Sequence, residues 1–357
     1  MKNKIEAIDF IKGYSILTIV LFHYFQGIQL SSLFSKAINF GGTGIHTFLF
    51  CSGFGLYLSH LQNPIRYPDF LKKRFTRIYI PYIIIVTLSA VISLFIPIYE
   101  NSWNNYFSHV FLYKMFDNYL IGTYGYQFWF ISCILQFYLL FPLIVKLREW
   151  IPGKAFLLVG LLITYTWVVI FLFLHKVELR NWNSFFLMFI WEFMLGMYCA
   201  EMYLQKRYEF WDIRKPWLIG IAILGLGIYG LMAIMGGPIG KSFNDVPALF
   251  GYAALCIFIY SLKINWINRF ILFTARLSFS IFLIHFLILD LVQAACKALA
   301  ITWSWIMLIP TLAICYLAAL PMEKFFKYLM NVLHAGRQPL SMTEEGKPSQ
   351  TLAPKNP

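Results

Sequence analysis

Ten apolar runs, each about long enough to cross a bilayer, leave this chain few folds to choose from; they cover residues 12–31, 41–61, 78–98, 128–147, 155–174, 184–203, 217–236, 246–262, 271–293 and 300–320. A hydrocarbon core roughly 30 Å thick takes about 20 apolar residues per helix. In lipid the backbone must satisfy its polar groups within the segment, so runs of this length read as helices. The composition agrees: 60% of residues are apolar and 13% charged, with a mean hydropathy of +0.67. A water-soluble domain could not carry that balance on its surface. The expected fold is all-α, a polytopic integral membrane bundle of about ten transmembrane helices. No internal repeat is visible, most connections are short, and one bundle over 1–333 is the simplest organisation. From about His334 the chain turns polar and Pro-rich, as a disordered cytoplasmic tail over 334–357 would be.

The net charge of +13 could suggest a polyanion partner, but the basic residues fall between the apolar runs, which excludes a nucleic-acid reading and turns the charge into a topology signal. With a cytoplasmic N-terminus, 23 Lys and Arg lie inside and 6 outside: Lys36, Lys114, Lys176, Arg180, Lys241 and Lys297. That asymmetry follows the positive-inside rule, puts both termini in the cytoplasm and favours an even number of spans. The six cysteines lie in or beside the apolar runs with no CxxC and no zinc-type spacing to histidine, so free buried thiols and no metal are expected. The connection 99–127 carries Trp103, Tyr106, Phe107, Tyr113, Phe116, Tyr119, Tyr124 and Tyr126 among polar residues. Such a stretch suits an amphipathic segment lying in the interface, or stacking against sugar rings.

Ionisable groups inside a bilayer need a partner or a function, and His23, Glu192 and His285 stand out. Lys12 and His23 are eleven residues apart, close to three helical turns, so they share one face about 16 Å apart along the axis. With Lys12 at the cytoplasmic boundary, His23 is expected near mid-membrane. Asp9 can pair with Lys12. A buried imidazole stays neutral and can accept a proton, as a general base must; it could equally be a core histidine bonded between helices. His285 lies at a similar depth in the ninth run, suggesting a shared polar cavity. The sequence FLKKRFTRIYIPY offers Arg74 and Arg77 at i, i+3, a pair of guanidiniums suited to phosphate or placed merely by the positive-inside rule. The glycines of GGTGIHTFLFCSGFG suit close packing better than nucleotide binding, and His46 there reads as interfacial. Gln136 is mid-span and needs a partner.

At these residues the chain resembles the integral membrane acyltransferase family 3, whose members O-acylate cell-surface polysaccharides and lipids. The opening IDFIKGYSILTIVLFH is similar to that family's first-helix pattern of Arg or Lys, ten residues, then His. FLFCSGF, KKRFTRIYIPY, FWFISCILQFYLLFP, EFMLGM and LSFSIFLIH follow in the family's order over nearly the whole chain. The resemblance implies a ten-helix bundle in the plasma (inner) membrane, a cytoplasmic acyl-CoA donor, usually acetyl-CoA, and an extracytoplasmic polysaccharide or lipid-linked glycan acceptor. It implies His23 as the catalytic histidine, with Lys12 as its companion and Arg74 and Arg77 as the donor-side basic pair. From the residues themselves, His285 is a further catalytic candidate by its depth, Lys12, Arg74 and Arg77 form the donor-binding set, and Trp129, Gln136, Tyr138 and Glu192 are the candidates for touching the acceptor. Many members have Arg where Lys12 stands, and Glu in the block that holds Gln136.

An extended pantetheine arm is on the order of 15 Å, comparable to the Lys12–His23 rise. CoA phosphates held near Lys12, Arg74 and Arg77 would thus let the thioester reach His23. The competing expectation is a transporter or flippase for a lipid-linked saccharide, in which buried His and Glu couple to protons.

Overall fold

The computed structural model describes residues 5–26, 28, 38–206 and 213–335. Each of the ten apolar runs overlaps a helix among the described residues. In chain order the main helices are α1 (Glu6–Phe25), α2 (Gly44–Gln62), α3 (Tyr67–Ser93), α4 (Trp103–Val110), α5 (Trp129–Trp150), α6 (Ala155–Phe173), α7 (Ile190–Leu204), α8 (Lys215–Met235), α9 (Asp245–Ser261), α10 (Asn265–Ala298) and α11 (Leu308–Ala335). No strand occurs among the described residues. Eight helical segments there are long and apolar enough to span a membrane; α2, diluted by glycine, serine and histidine, and α9, with 17 residues, are the runs that fall short of that measure. The chain is a multi-pass membrane protein. The expected tail beyond Ala335 lies outside the described residues, and α11 runs two residues past the expected tail boundary.

Several helices extend beyond their apolar runs because helix formation does not require apolar residues. α3 begins at Tyr67, eleven residues ahead of its apolar run, with Pro68 at the start of the helix where a missing N–H costs nothing. Lys72, Lys73, Arg74 and Arg77 are therefore helical. Pro81, Pro142 and Pro321 lie inside α3, α5 and α11, which packed neighbours in a membrane bundle tolerate.

Small residues set the closest approaches. α2 and α7 cross with Gly53 against the backbone of Phe193 and Gly196 against the backbone of Phe50 and Phe54. A Cβ at either glycine would enter a main chain, so backbone contact between helices stands in for the hydrophobic drive that lipid does not supply. Gly225 and Gly251 do the same between α8 and α9. Outward faces are apolar: Ile223, Leu224 and Leu231 on α8 are exposed to between 59% and 71%, a surface that only lipid would solvate.

The 99–127 connection is folded. Ser102 caps α4, its Oγ accepting from the Asn105 amide at 3.1 Å. Trp103, Phe107 and Phe111 stack at i, i+4 spacing along its outer face, with ring centroids 5.8 Å apart in each pair. Asn105, Ser108 and His109 are buried on the other face. This two-sided helix has the amphipathic form expected of an interfacial segment. Behind it, fully buried Lys114 donates to the Phe128 carbonyl at 2.9 Å and faces the Tyr82 and Phe128 rings. His109 bridges Tyr82 and Thr123, each at 2.7 Å. Burial pushes Lys114 well below the usual lysine range, and burial together with the Lys114 charge lowers His109 well below the usual histidine range. The connection therefore fixes the start of α5, where one wall of the central cavity begins.

Candidate active site

A cavity of about 1170 Å³ runs inside the bundle, and both Lys12 and His23 line it. α1 supplies the pair from one face because their eleven-residue spacing closes almost three turns, giving an axial rise of about 16 Å. Lys12 is half-buried, and among the described residues it has no ion-pair partner; the expected pairing with Asp9 is not formed. Since α1 ends at Phe25, His23 sits in its last turn and not at its middle.

The His23 ring is held on several sides. Its Nδ1 donates to Oε1 of Gln26 at 3.3 Å, which leaves Nε2 as the unprotonated nitrogen. Phe22 and Phe286 flank it at 4.8 and 4.6 Å between centroids, and the His285 ring lies at 5.5 Å. The expected match in depth between the two histidines is thus a contact. His285 does not reach the cavity, however. Fully buried on α10, it donates from Nδ1 to the Phe282 carbonyl at 2.9 Å, and its Nε2 has no hydrogen-bond partner. The Tyr24 hydroxyl, one residue along α1, donates to the His285 carbonyl at 3.2 Å.

Of the residues expected to touch the acceptor, Trp129 and Tyr138 line the cavity and Gln136 and Glu192 do not. The Gln136 side-chain carbonyl accepts from the Phe186 amide at 3.1 Å, securing the turn that leads into α7. The amide on the cavity wall is Gln127, which donates to the Leu283 carbonyl at 3.2 Å. It is set by Gly125, whose φ of +132° suits glycine and whose missing side chain leaves room for Gln127. Arg74 and Arg77 are also absent from the lining. Arg77 is exposed, while Arg74 lies 5.8 Å over Phe70, whose ring meets Tyr138 at 6.2 Å, so the basic pair stands beside the cavity wall.

Arg180 and His46 add to the polar lining. Arg180, from a one-turn helix at Arg180–Asn183, lays its guanidinium 4.1 Å over Trp129 and 5.2 Å from the Tyr126 ring. Its Nε is buried without a partner, and burial lowers it below the usual arginine value. His46, expected at the interface, is buried in the first turn of α2. Its Nδ1 bonds Oε1 of Glu192 at 2.6 Å, and its Nε2 is 3.9 Å from Asp245. These partners are 146 and 199 positions away in sequence; Glu192 and His46 are each visible there separately, and Asp245, a lone carboxylate heading an apolar run, is the signal that goes unused.

Chemically, the cavity offers an imidazole, a lysine about three turns away, aromatic walls and a second polar cluster. Comparison with known proteins agrees with such equipment. The family model described as an acyltransferase domain matches residues 5–320. A Bacillus subtilis (strain 168) protein named "Putative membrane-bound acyltransferase YfiQ" is 24% identical over 301 residues, covering 79% of this chain and 80% of that one. No solved structure matches the chain.

Proposed function

This chain belongs to the integral membrane acyltransferase family 3 and is a transferase of acyl groups, and from that premise we propose that it moves an acyl group, acetyl in the simplest case, from cytoplasmic acyl-CoA to a hydroxyl of an extracytoplasmic glycan or glycolipid. The observation that carries this reading is that Lys12 and His23 line one and the same cavity. Membership of a transferase family displaces the transport alternative.

In this reading CoA enters from the Lys12 side, taken as the cytoplasmic side. The lysine, which has no carboxylate partner among the described residues, attracts a phosphate, with Arg74 and Arg77 adding positive field beside the wall. The pantetheine arm spans the rise of α1 and delivers the thioester to His23. The acceptor hydroxyl gives its proton to Nε2 of His23 as its oxygen attacks the thioester carbon. The C–S bond then breaks, and the CoA sulfur leaves with the proton returned by the imidazole. Gln26 supports the tautomer that leaves Nε2 free. Arg180, which lines the same cavity as His23, is suited to the negative charge that develops on the carbonyl oxygen. His285 packs against the catalytic ring and acts through it, as a positioning residue.

General base catalysis typically contributes about 10²–10⁴-fold. His23→Ala should therefore lower turnover of acetyl-CoA by about that factor, with CoA affinity changed less than twofold. Full turnover in His23→Ala overturns the mechanism.

A further inference from the structure

The mechanism leaves one buried cluster unused. His46, Glu192 and Asp245 come from the first turns of α2, α7 and α9, and one ligand atom of each lies within 4.8 Å of the others. His46 and Asp245 line the same cavity as His23, as does Asn244, while Glu192 is fully enclosed behind His46. Two neighbouring groups on that wall lack partners: Oδ2 of Asp245 and Nδ2 of Asn244, both in residues only 3% exposed. Buried polar atoms without partners are costly, so a group that completes them gains the whole of that penalty.

We propose that Asn244 and Asp245, with His46 oriented by Glu192, form the subsite that recognises the hydroxyls of a saccharide acceptor; this rests on the acyl-transfer reading above. Adjacent hydroxyls on a sugar ring each donate and accept one hydrogen bond, and the wall offers one free acceptor beside one free donor. Phe189, whose ring lies 6.1 Å from that of His46 and which lines the same cavity, puts an apolar surface beside these polar groups. The geometry disfavours a metal ion held by all three side chains. Donors about 2.0–2.1 Å from one tetrahedral ion stand roughly 3.3 Å apart, whereas His46 and Glu192 are in direct hydrogen-bond contact at 2.6 Å. Paired this way, Glu192 leaves Nε2 of His46 as the cavity-side nitrogen.

The test uses the full chain in lipid nanodiscs free of glycoside detergent, with acetyl-CoA and the methyl glycosides of glucose, galactose and N-acetylglucosamine as acceptors. Acyl products are counted by mass spectrometry. Asp245→Asn and Asn244→Leu should each raise the KM of the accepted glycoside about tenfold or more, with the KM for acetyl-CoA within twofold of wild type. The unchanged donor KM also shows that each variant is folded. If the wild type acylates a glycoside and neither variant alters its KM, the subsite is refuted and the acyl-transfer reading stands. If the wild type consumes acetyl-CoA but acylates no glycoside, the saccharide assignment falls alone. Failure to consume acetyl-CoA overturns both. Loss of glycoside acylation on adding EDTA, restored by a divalent cation, would assign the cluster to a metal and refute the proposal.

Discussion

Replacing Lys12 by Met tests how the cavity measures its donor. The ammonium is half-buried, faces the cavity and is not engaged by any carboxylate among the described residues, so a phosphate would be its first ionic partner. Hydrogen bonds to charged groups contribute about 1.5–3 kcal/mol. Because Lys12 remains partly open to solvent, which screens such pairs, the lower half of that range applies, about 1.5–2 kcal/mol. At about 1.36 kcal/mol per factor of ten, Lys12→Met should cost roughly 10- to 30-fold in kcat/KM with acetyl-CoA. The loss should appear mainly in KM, since the contact is made equally in the ground state and the transition state. S-acetylpantetheine retains the arm that spans the rise of about 16 Å to His23 but carries no phosphate. With that donor the substitution should change kcat/KM less than twofold, and Lys12→Arg should be nearly neutral with either donor. The assay follows release of free thiol from the two donors by wild type and variant, which forms a double-mutant cycle across the enzyme and the ligand. Equal losses with both donors would mean that Lys12 acts on the bundle or on His23 and not on phosphate, and the spatial argument would fail.

Two further outcomes follow from the packing and the buried cation. Gly196→Leu drives a side chain into the backbone of Phe50 and Phe54, an overpacking that costs about 1–3 kcal/mol; a lower melting temperature in detergent is expected, and an unchanged one would mean the crossing yields easily. His109 and Lys114 both have folded pKa values below their unfolded ones, so the unfolded 103–128 segment binds more protons and stability rises with pH. The His109 contribution is complete above about pH 6.5 and is lost as pH falls from there towards its folded value, while the Lys114 contribution is already reduced at neutral pH. Hydrogen exchange in this segment should therefore quicken relative to the pH-corrected intrinsic rate between pH 8 and pH 5.5, and Lys114→Met should flatten that dependence; the same slope in the variant would count against a buried amine as its source.

The helices were legible because lipid imposes a length and a composition on each of them, and both are written locally in the chain. Their ends were less so: α3 starts at Tyr67 because basic residues are good helix formers, a property hydropathy does not register. Lys12 and His23 could be placed on one face from spacing alone, since one helix carries both. Groups that meet through tertiary packing could not be ranked that way. Gln127 and Gln136 are nine residues apart in the same aromatic block, yet one lines the cavity and the other holds a turn, which depends on the rotation of α5 and on the irregular backbone before it. His46 looked interfacial because its partner Glu192 belongs to a different helix. Arg180 reads in the sequence as one more outside charge, and it is the folding of its loop over Trp129 that turns it toward the cavity.

The glycine contacts between α2 and α7 bear on how the protein can work. With main chain seated on main chain at Gly53 and Gly196, the two helices behave as one rigid strut, and His46 and Glu192 ride on it as a fixed couple. Any rearrangement that admits or releases substrates must then carry both groups together, so gating falls to the side chains and connecting segments around the strut and not to sliding within it.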